Sequence, residues 1–132
     1  MLLAQVREAH LWALFARPEL PKWQDGHAVL IGDACHPTLP FMAQGAAMGL
    51  EDAVVLARCL ATDTDQGRAL ARFEALRKSR TTRLQRQAQA NAGLFHRQGA
   101  LARAQLTLAP WLPTGLALRR FDWIYGYDAT GG

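Results

Sequence analysis

The stretch HAVLIGDACHPTLPFMAQGAAMGLEDAVVLARCL, residues 27–60, decides how the rest of the chain folds. Its first apolar run, residues 27–31, is short, contains β-branched side chains and is closed by Gly32-Asp33, as expected of a buried strand. Pro37 and Pro40 then predict a rigid turn. The sequence therefore places a carboxylate directly after the end of a strand.

A helix is predicted to begin at Gln44-Gly45, where apolar residues start to recur at spacings of three and four. The residues of this predicted apolar face are Ala46, Ala47, Leu50, Ala53, Val54, Ala57 and Leu60. The first backbone N–H groups of a helix have no partner within it and lie at its positive end. A strand, a turn with a carboxylate and a helix N-terminus together predict a ligand site.

Five short motifs in this stretch resemble those of a known family. They are Gly32-Asp33-Ala34, His36-Pro37, Pro40, Gln44-Gly45 and Glu51-Asp52-Ala53. In order and without gaps, they closely resemble the second FAD motif of the flavin-dependent aromatic hydroxylases, which are single-component monooxygenases such as salicylate hydroxylase and 3-hydroxybenzoate 6-hydroxylase. The glycine-rich turn that holds the pyrophosphate in such enzymes has no counterpart, since no GxGxxG occurs.

The resemblance implies an α/β FAD-binding fold of the p-hydroxybenzoate hydroxylase type, of which this chain is a C-terminal fragment. The fragment is expected to be predominantly helical, with two short strands at about 10–16 and 27–32. Residues 1–17 would end the substrate domain, 27–60 would form the strand–turn–helix FAD motif, and 65–132 would form a helical C-terminal region.

For function, the resemblance implies an FAD- and NAD(P)H-dependent monooxygenase that hydroxylates a small aromatic substrate, such as salicylate or a hydroxybenzoate, through a flavin C4a-hydroperoxide. The isolated segment is expected to be inactive, because an N-terminal FAD-binding region is its missing partner. Two alternatives stay open: a non-catalytic helical interaction module derived from a flavoprotein, and a monooxygenase of the same fold with a non-aromatic substrate. Homodimerisation also stays open.

The cofactor-binding residues that the resemblance implies are Gly32, Asp33, Pro40, Gln44, Gly45 and Ala46. Asp33 would accept hydrogen bonds from the ribityl hydroxyls, and the N–H groups at Gln44-Gly45 would stabilise negative charge on the flavin. Pro40 would border the place where substrate meets flavin. Each residue also has a structural explanation: turn stabilisation by the Asp, small residues at a helix start, and a loop stiffened by proline.

No catalytic base is assigned from the sequence. His36 is a candidate near the flavin, but a histidine beside a proline in a turn is more often a structural hydrogen-bonding group. Glu51 and Asp52 are expected to face solvent or a neighbouring arginine. No metal is expected, since the histidines and cysteines show no ligand spacing.

The chain beyond residue 60 is predicted to contain a long helix, about 66–91 with a break near Thr81, and a short helix at 101–109. The predicted buried stripe of the long helix is Leu70, Phe73, Leu76, Leu84 and Ala88. Its many arginines are spread around it, so we expect them to be solvated and paired with carboxylates outside this chain, and nucleic-acid binding is not expected.

Composition and charge limit the functional classes to which the chain can be assigned. The 132 residues carry a net charge of +4, which is mild, and no apolar run is long enough to span a membrane. With no secretion signal and two widely separated cysteines, a cytoplasmic location is expected.

Overall fold

The structure, a computed structural model, describes residues 5–95, 115 and 119–131. Its regular elements, in chain order, are β1 (Gln24–Asp25), β2 (Ala28–Val29), a first 3₁₀ turn (Gly32–Ala34), a second 3₁₀ turn (Pro40–Met42), α1 (Gly45–Thr62), α2 (Gln66–Phe95) and α3 (Asp122–Tyr125). No helix among the described residues has the length and apolar content that a membrane crossing requires. The predicted helix at 101–109 lies outside the described residues.

Of the two predicted strands, only the one at 27–32 is present; it is shorter than predicted and, with Leu30 and Ile31 exposed, it is not buried, while β1 was not predicted. β1 and β2 form a two-residue antiparallel hairpin, with Gln24 opposite Val29. The prediction of a strand at 10–16 is wrong for the described structure, where this segment has no regular structure and Trp12 is 83% exposed. A strand requires a neighbour for its backbone hydrogen bonds, and no other described segment supplies one here.

Helix α2 packs along α1 after a three-residue connection, residues 63–65. Two apolar clusters hold the pair together. The hairpin cluster consists of Trp23, Cys35, Val55, Cys59, Ala69 and Phe73. The tail cluster consists of Met42, Met48, Leu84, Ala88 and Ile124. Along both helices, a buried charged pair, Asp52 and Arg77, separates the two clusters.

The apolar face predicted for α1 is wrong in most of its members. The buried residues of α1 are Met48, Asp52, Val55 and Cys59. In contrast, Leu50 is 71% exposed, and Val54 and Leu60 are exposed as well. Helix α1 carries apolar side chains on two faces, and spacing alone does not show which of them α2 covers. We call Leu50, Val54 and Leu60 the open face of α1.

The predicted stripe of α2 is largely confirmed, with two corrections. Leu70, Phe73, Leu84 and Ala88 are buried, but Leu76 is half-exposed. No break occurs near Thr81, whose hydroxyl donates to the carbonyls of Arg77 and Lys78 within the helix, a bond that serine and threonine make without ending a helix. The α2 arginines also find carboxylates within the described chain: Arg68 pairs with Asp63, Arg77 with Glu51 and Asp52, Arg80 with Glu51, and Arg86 with Glu19.

Candidate functional site

The turn after β2 is built on Gly32. Its φ is +56°, in the left-handed region where side chains other than that of glycine are strained. Cys35 and His36 both donate their backbone N–H groups to the Gly32 carbonyl, at 3.0 Å each. A Cβ added at Gly32 would lie 3.9 Å from the Cα of Gly49. The turn therefore passes close to α1 where neither residue has a side chain.

Alanine substitutions at these two glycines should have opposite effects. Gly32→Ala is expected to lower the free energy of unfolding by about 1–2 kcal/mol, because alanine is strained in the left-handed region. Gly49→Ala should raise it by about 0.5–1 kcal/mol, since Gly49 is helical and a Cβ there would meet nothing within 4 Å. Urea denaturation followed by circular dichroism measures both. A stabilising Gly32→Ala would contradict the left-handed turn.

Asp33 presents an exposed carboxylate to the start of α1. Its Oδ1 lies 3.8 Å from the place that a Cβ on Gly45 would occupy, and the Thr38 hydroxyl lies 3.5 Å from the same place. This carboxylate makes no hydrogen bond or ion pair within the described ranges. The N-cap residue of α1, Gln44, makes no side-chain cap hydrogen bond either. An unpaired acceptor thus lies beside uncapped helix N–H donors.

The segment before α1 contains a 3₁₀ turn and one strained residue. Pro40 is exposed and begins the second 3₁₀ turn, and Met42 anchors that turn in the tail cluster. Ala43 follows with φ +52°, a left-handed conformation that costs a non-glycine residue about 1–2 kcal/mol. A cleft of about 200 Å³ adjoins the segment, lined by Phe41, Met42, Asn91, Phe121 and Tyr125.

Beneath the turn lies a buried charged pair. Asp52 and Arg77 are both fully buried, and the Arg77 Nε donates to the Asp52 Oδ1 at 2.7 Å. The other carboxylate oxygen, Oδ2, lies 2.6 Å from the His36 Nε2 and 2.9 Å from the Gly32 nitrogen, which donates to it. His36 is 1% exposed, so in this structure it is a hydrogen-bonding group of the core.

A second carboxylate extends this pair toward the C-terminal tail. Glu51 lies 2.7 Å from the Arg77 Nη2 and receives two hydrogen bonds of 2.8 Å from Arg80. Arg80 also donates to the carbonyls of Trp123 and Ile124, at 2.7 and 2.9 Å. One arginine therefore joins α1, α2 and the tail.

The charged states of this network follow from its contacts. Burial opposes ionisation of Asp52, but hydrogen bonds from His36, Gly32 and Arg77 outweigh it and lower the pKa of the carboxyl. Burial likewise opposes ionisation of Glu51, whose pKa is lowered by its two arginine partners. Burial also opposes the charge of Arg77, whose pKa the same carboxylates raise. Both acids are ionised at neutral pH.

Cys35, His36 and Asp52 bring three buried ligand atoms within 4.8 Å of one another, which is close enough for a metal ion. Burial first, and the nearby Asp52 charge second, raise the pKa of the Cys35 thiol to about 12, whereas a metal binds the thiolate. The Arg77 guanidinium already occupies one Asp52 oxygen and would repel a cation. These donors fit a buried ion pair better than a metal centre.

The structure thus brings four of the residues proposed from the resemblance into one region: Gly32, Asp33, Gln44 and Gly45. Ala46 follows in the first turn of α1 and is exposed. Sequence reasoning missed the buried pair under that region. The available signal was that Asp52 falls four residues after Met48 and three before Val55, within the stripe that α2 covers.

Comparison with known proteins gives the family. A family model described as an FAD binding domain matches residues 2–90. This chain belongs to the FAD-binding domain family. A 3-amino-4-hydroxybenzoate 2-monooxygenase from Streptomyces platensis is 38% identical over 129 residues, 97% of this chain and 32% of that protein. A 3-hydroxybenzoate 6-hydroxylase from Aquipseudomonas alcaligenes is 37% identical over 118 residues, 89% of this chain and 30% of that one.

A 6-hydroxynicotinate 3-monooxygenase from Pseudomonas fluorescens is 48% identical over 81 residues, which is 60% of this FAD-binding domain chain and 21% of that enzyme. The resemblance to the FAD-dependent aromatic hydroxylases is therefore confirmed. The chain spans about a third of the length of the first two of these curated relatives.

Proposed function

We propose that this FAD-binding domain chain is part of an FAD- and NAD(P)H-dependent monooxygenase that hydroxylates a small aromatic acid of the hydroxybenzoate kind. One observation carries the proposal: the Asp33 carboxylate, which has no partner among the described residues, lies beside the uncapped N-terminus of α1. The relatives, named for monooxygenation of hydroxybenzoates and a hydroxynicotinate, support the class of substrate.

The residues present fit the flavin half of FAD. Asp33 would accept hydrogen bonds from ribityl hydroxyls through its two carboxylate oxygens. The N–H groups of Gly45 and Ala46, at the positive end of an 18-residue helix, would stabilise negative charge on the flavin ring. Gly45 has no side chain that would block the cofactor. A Cβ at this position would contact Asp33 and Thr38.

In this proposal the residues of the site bind and orient, and the cofactor supplies the redox chemistry. When bound, FAD would supply the transfer of electrons from the nicotinamide to oxygen. Pro40 would border the substrate with a rigid, apolar surface, and the strained Ala43 would fix the direction in which the chain enters α1. We assign no catalytic role to His36, because it is buried and bonded to Asp52.

The open face of α1 indicates that another protein segment packs against this part of the chain. Leu50, Val54 and Leu60 leave an apolar face exposed, and Leu30 and Ile31 of the preceding strand region are exposed too. Exposed apolar patches of this kind commonly mark interfaces. We propose that the remaining part of an FAD-binding domain, which supplies the pyrophosphate site, covers this face. Alone, the 132-residue chain is expected to bind FAD with a dissociation constant weaker than about 1 µM.

The proposal predicts which half of the cofactor the chain recognises. Titration of the ¹⁵N-labelled chain with FMN, which carries the ribityl group and the flavin ring, should shift the amide signals of Asp33, Gly45 and Ala46, and ADP should not. Asp33→Asn should reduce these shifts about tenfold at a fixed FMN concentration, because a charged acceptor is lost. Asp25→Asn, at an exposed hairpin position, is the matched control and should change nothing.

Two outcomes would contradict the proposal. Shifts produced by ADP and not by FMN would assign the site to the other half of the cofactor. Equal FMN shifts in the unaltered chain and in Asp33→Asn would remove Asp33 from the site. An FMN response that is absent altogether would favour a helical interaction module that has lost the cofactor.

A further inference from the structure

Asp52 divides its two carboxylate oxygens between two parts of the fold. Its Oδ2 accepts from the Gly32 N–H at 2.9 Å and lies 2.6 Å from the His36 Nε2. Its Oδ1 accepts from the Arg77 Nε at 2.7 Å. Gly32 begins the first 3₁₀ turn, and His36 lies two residues after that turn ends. Asp52 therefore binds the turn on both sides of Asp33 without reaching the surface.

All three neighbours of this carboxylate act as donors. The Gly32 N–H and the Arg77 Nε–H can only donate hydrogen bonds. The His36 Nδ1 is buried without a partner among the described residues. A proton on that Nδ1 would be unsatisfied, so the His36 proton belongs on Nε2, where it is donated to Asp52. Three converging donors require an acceptor with two oxygens, and an amide at position 52 would direct its NH₂ group at one of them.

Few polar contacts other than those of Asp52 fix the shape of the turn. Within it, the Gly32 carbonyl accepts from the backbone of Cys35 and His36. The described hydrogen bonds from outside are the Arg17 side chain on the exposed Ala34 carbonyl and the bonds to Asp52, while Cys35 packs in the hairpin cluster and the His36 ring contacts that of Trp23. The direction in which Asp33 projects toward α1 consequently depends on a residue 19 positions further along the chain.

We propose that Asp52 is a positioning residue for the flavin site: its ionised carboxylate, neutralised by Arg77, holds Gly32 and His36 so that Asp33 faces the N–H groups at the start of α1. The effect on flavin binding rests on the proposed function, whereas the hydrogen bonds of Asp52 do not. Asp52 does not touch the cofactor. Asp52 determines the position of Asp33, which would contact the cofactor.

The test begins without flavin, on the full 132-residue chain. Asp52→Asn should raise the amide exchange rates of Gly32, Cys35 and His36 at least about tenfold more than those of Phe73 and Leu84, which report the global change in stability. Asp63→Asn is the matched control. It makes the same chemical change at a partly exposed carboxylate that pairs with Arg68, and it should leave the exchange rates of the turn unaltered.

The flavin arm measures the positioning itself. In Asp52→Asn, the FMN-induced shifts at Gly45 and Ala46 should fall about tenfold, as though the Asp33 contact were lost. The double variant with Asp33→Asn should show no further fall beyond Asp33→Asn alone, because both changes remove one contact. Additive losses in the double variant would overturn the inference.

The outcomes separate the two proposals. Unchanged FMN shifts in Asp33→Asn contradict the proposed function, while the exchange rates still decide the role of Asp52. Exchange that rises equally in the turn and at Phe73 would make Asp52 a general core residue and overturn the inference. If Asp52→Asn does not fold, a hydrogen-bond scalar coupling between the Gly32 ¹⁵N and the Asp52 ¹³Cγ in the unaltered chain supports the contact, and its absence rejects it.

Discussion

Arg77→Met is expected to lower the free energy of unfolding by about 3–5 kcal/mol at pH 7, because it leaves two carboxylates without their shared cation. Asp52 is fully buried and would keep only His36 and Gly32 as partners. Methionine has nearly the length of the arginine stem, so the loss would come from the charge and its hydrogen bonds rather than from a large cavity. Urea denaturation followed by circular dichroism at 222 nm provides the measurement.

The loss should depend on pH in a defined direction. In the native chain the pKa of Asp52 is held below its ordinary value, so its contribution to stability is complete above about pH 4 and is lost as the pH falls through the lowered pKa. The difference between Arg77→Met and the unaltered chain should therefore be largest at neutral pH and shrink as the pH falls and Asp52 becomes protonated. A difference that stays constant into acid would contradict an ionised Asp52.

Arg68→Met is the matched control for this substitution. Arg68 lies on the same helix and pairs with Asp63 at 2.8 Å, the same kind of contact, but its side chain is 70% exposed. Exposed pairs contribute little because water and salt screen them. We expect no measurable change in the urea midpoint. Comparable losses at both arginines would show that helix content, rather than burial of the ion pair, determines the effect.

The sequence was informative wherever a local rule decides the structure. The motif from Gly32 to Gln44 predicted a turn followed by a helix, and α1 begins at Gly45 as expected. The Asp33 acceptor and the start of α1 could be predicted because glycine, proline and backbone N–H groups determine the local geometry of the residues around them. Helix α2 was predicted from its spacing, although the helix runs four residues beyond the predicted end.

The errors arose where contacts between distant segments decide the structure. The segment 10–16 has the composition of a strand, but composition does not supply the neighbouring strand that it needs. Leu50 and Val55 are both apolar residues of α1, yet only Val55 faces α2. Asp52 and Arg77 lie 25 residues apart; an arginine partner for Asp52 was one of the two expectations, but neither the identity of that arginine nor the burial of the pair was predicted. Opposite charges within the stripes of two consecutive helices were the signal for such a pair.

Phe73→Ala is expected to lower the free energy of unfolding by about 3–5 kcal/mol, since truncating a buried aromatic leaves a cavity that its neighbours fill only partly. Phe73 is fully buried in the hairpin cluster, and its ring centroid lies 6.1 Å from that of Trp23. Trp23 in turn contacts the His36 ring at 5.3 Å. The cavity would therefore open beside Trp23, whose ring contacts the histidine that helps to hold the Asp33 turn.

Leu76→Ala separates packing from helix propensity in this prediction. Leu76 lies on the same helix, three residues later, but is half-exposed. Its truncation should change the free energy of unfolding by no more than about 0.5 kcal/mol, as is usual at the surface. Urea midpoints of the two variants, read with the exchange rate of the His36 amide, would test the arrangement. If Leu76→Ala proved the more damaging change, α2 would turn a different face toward α1, and Arg77 would no longer lie against Asp52.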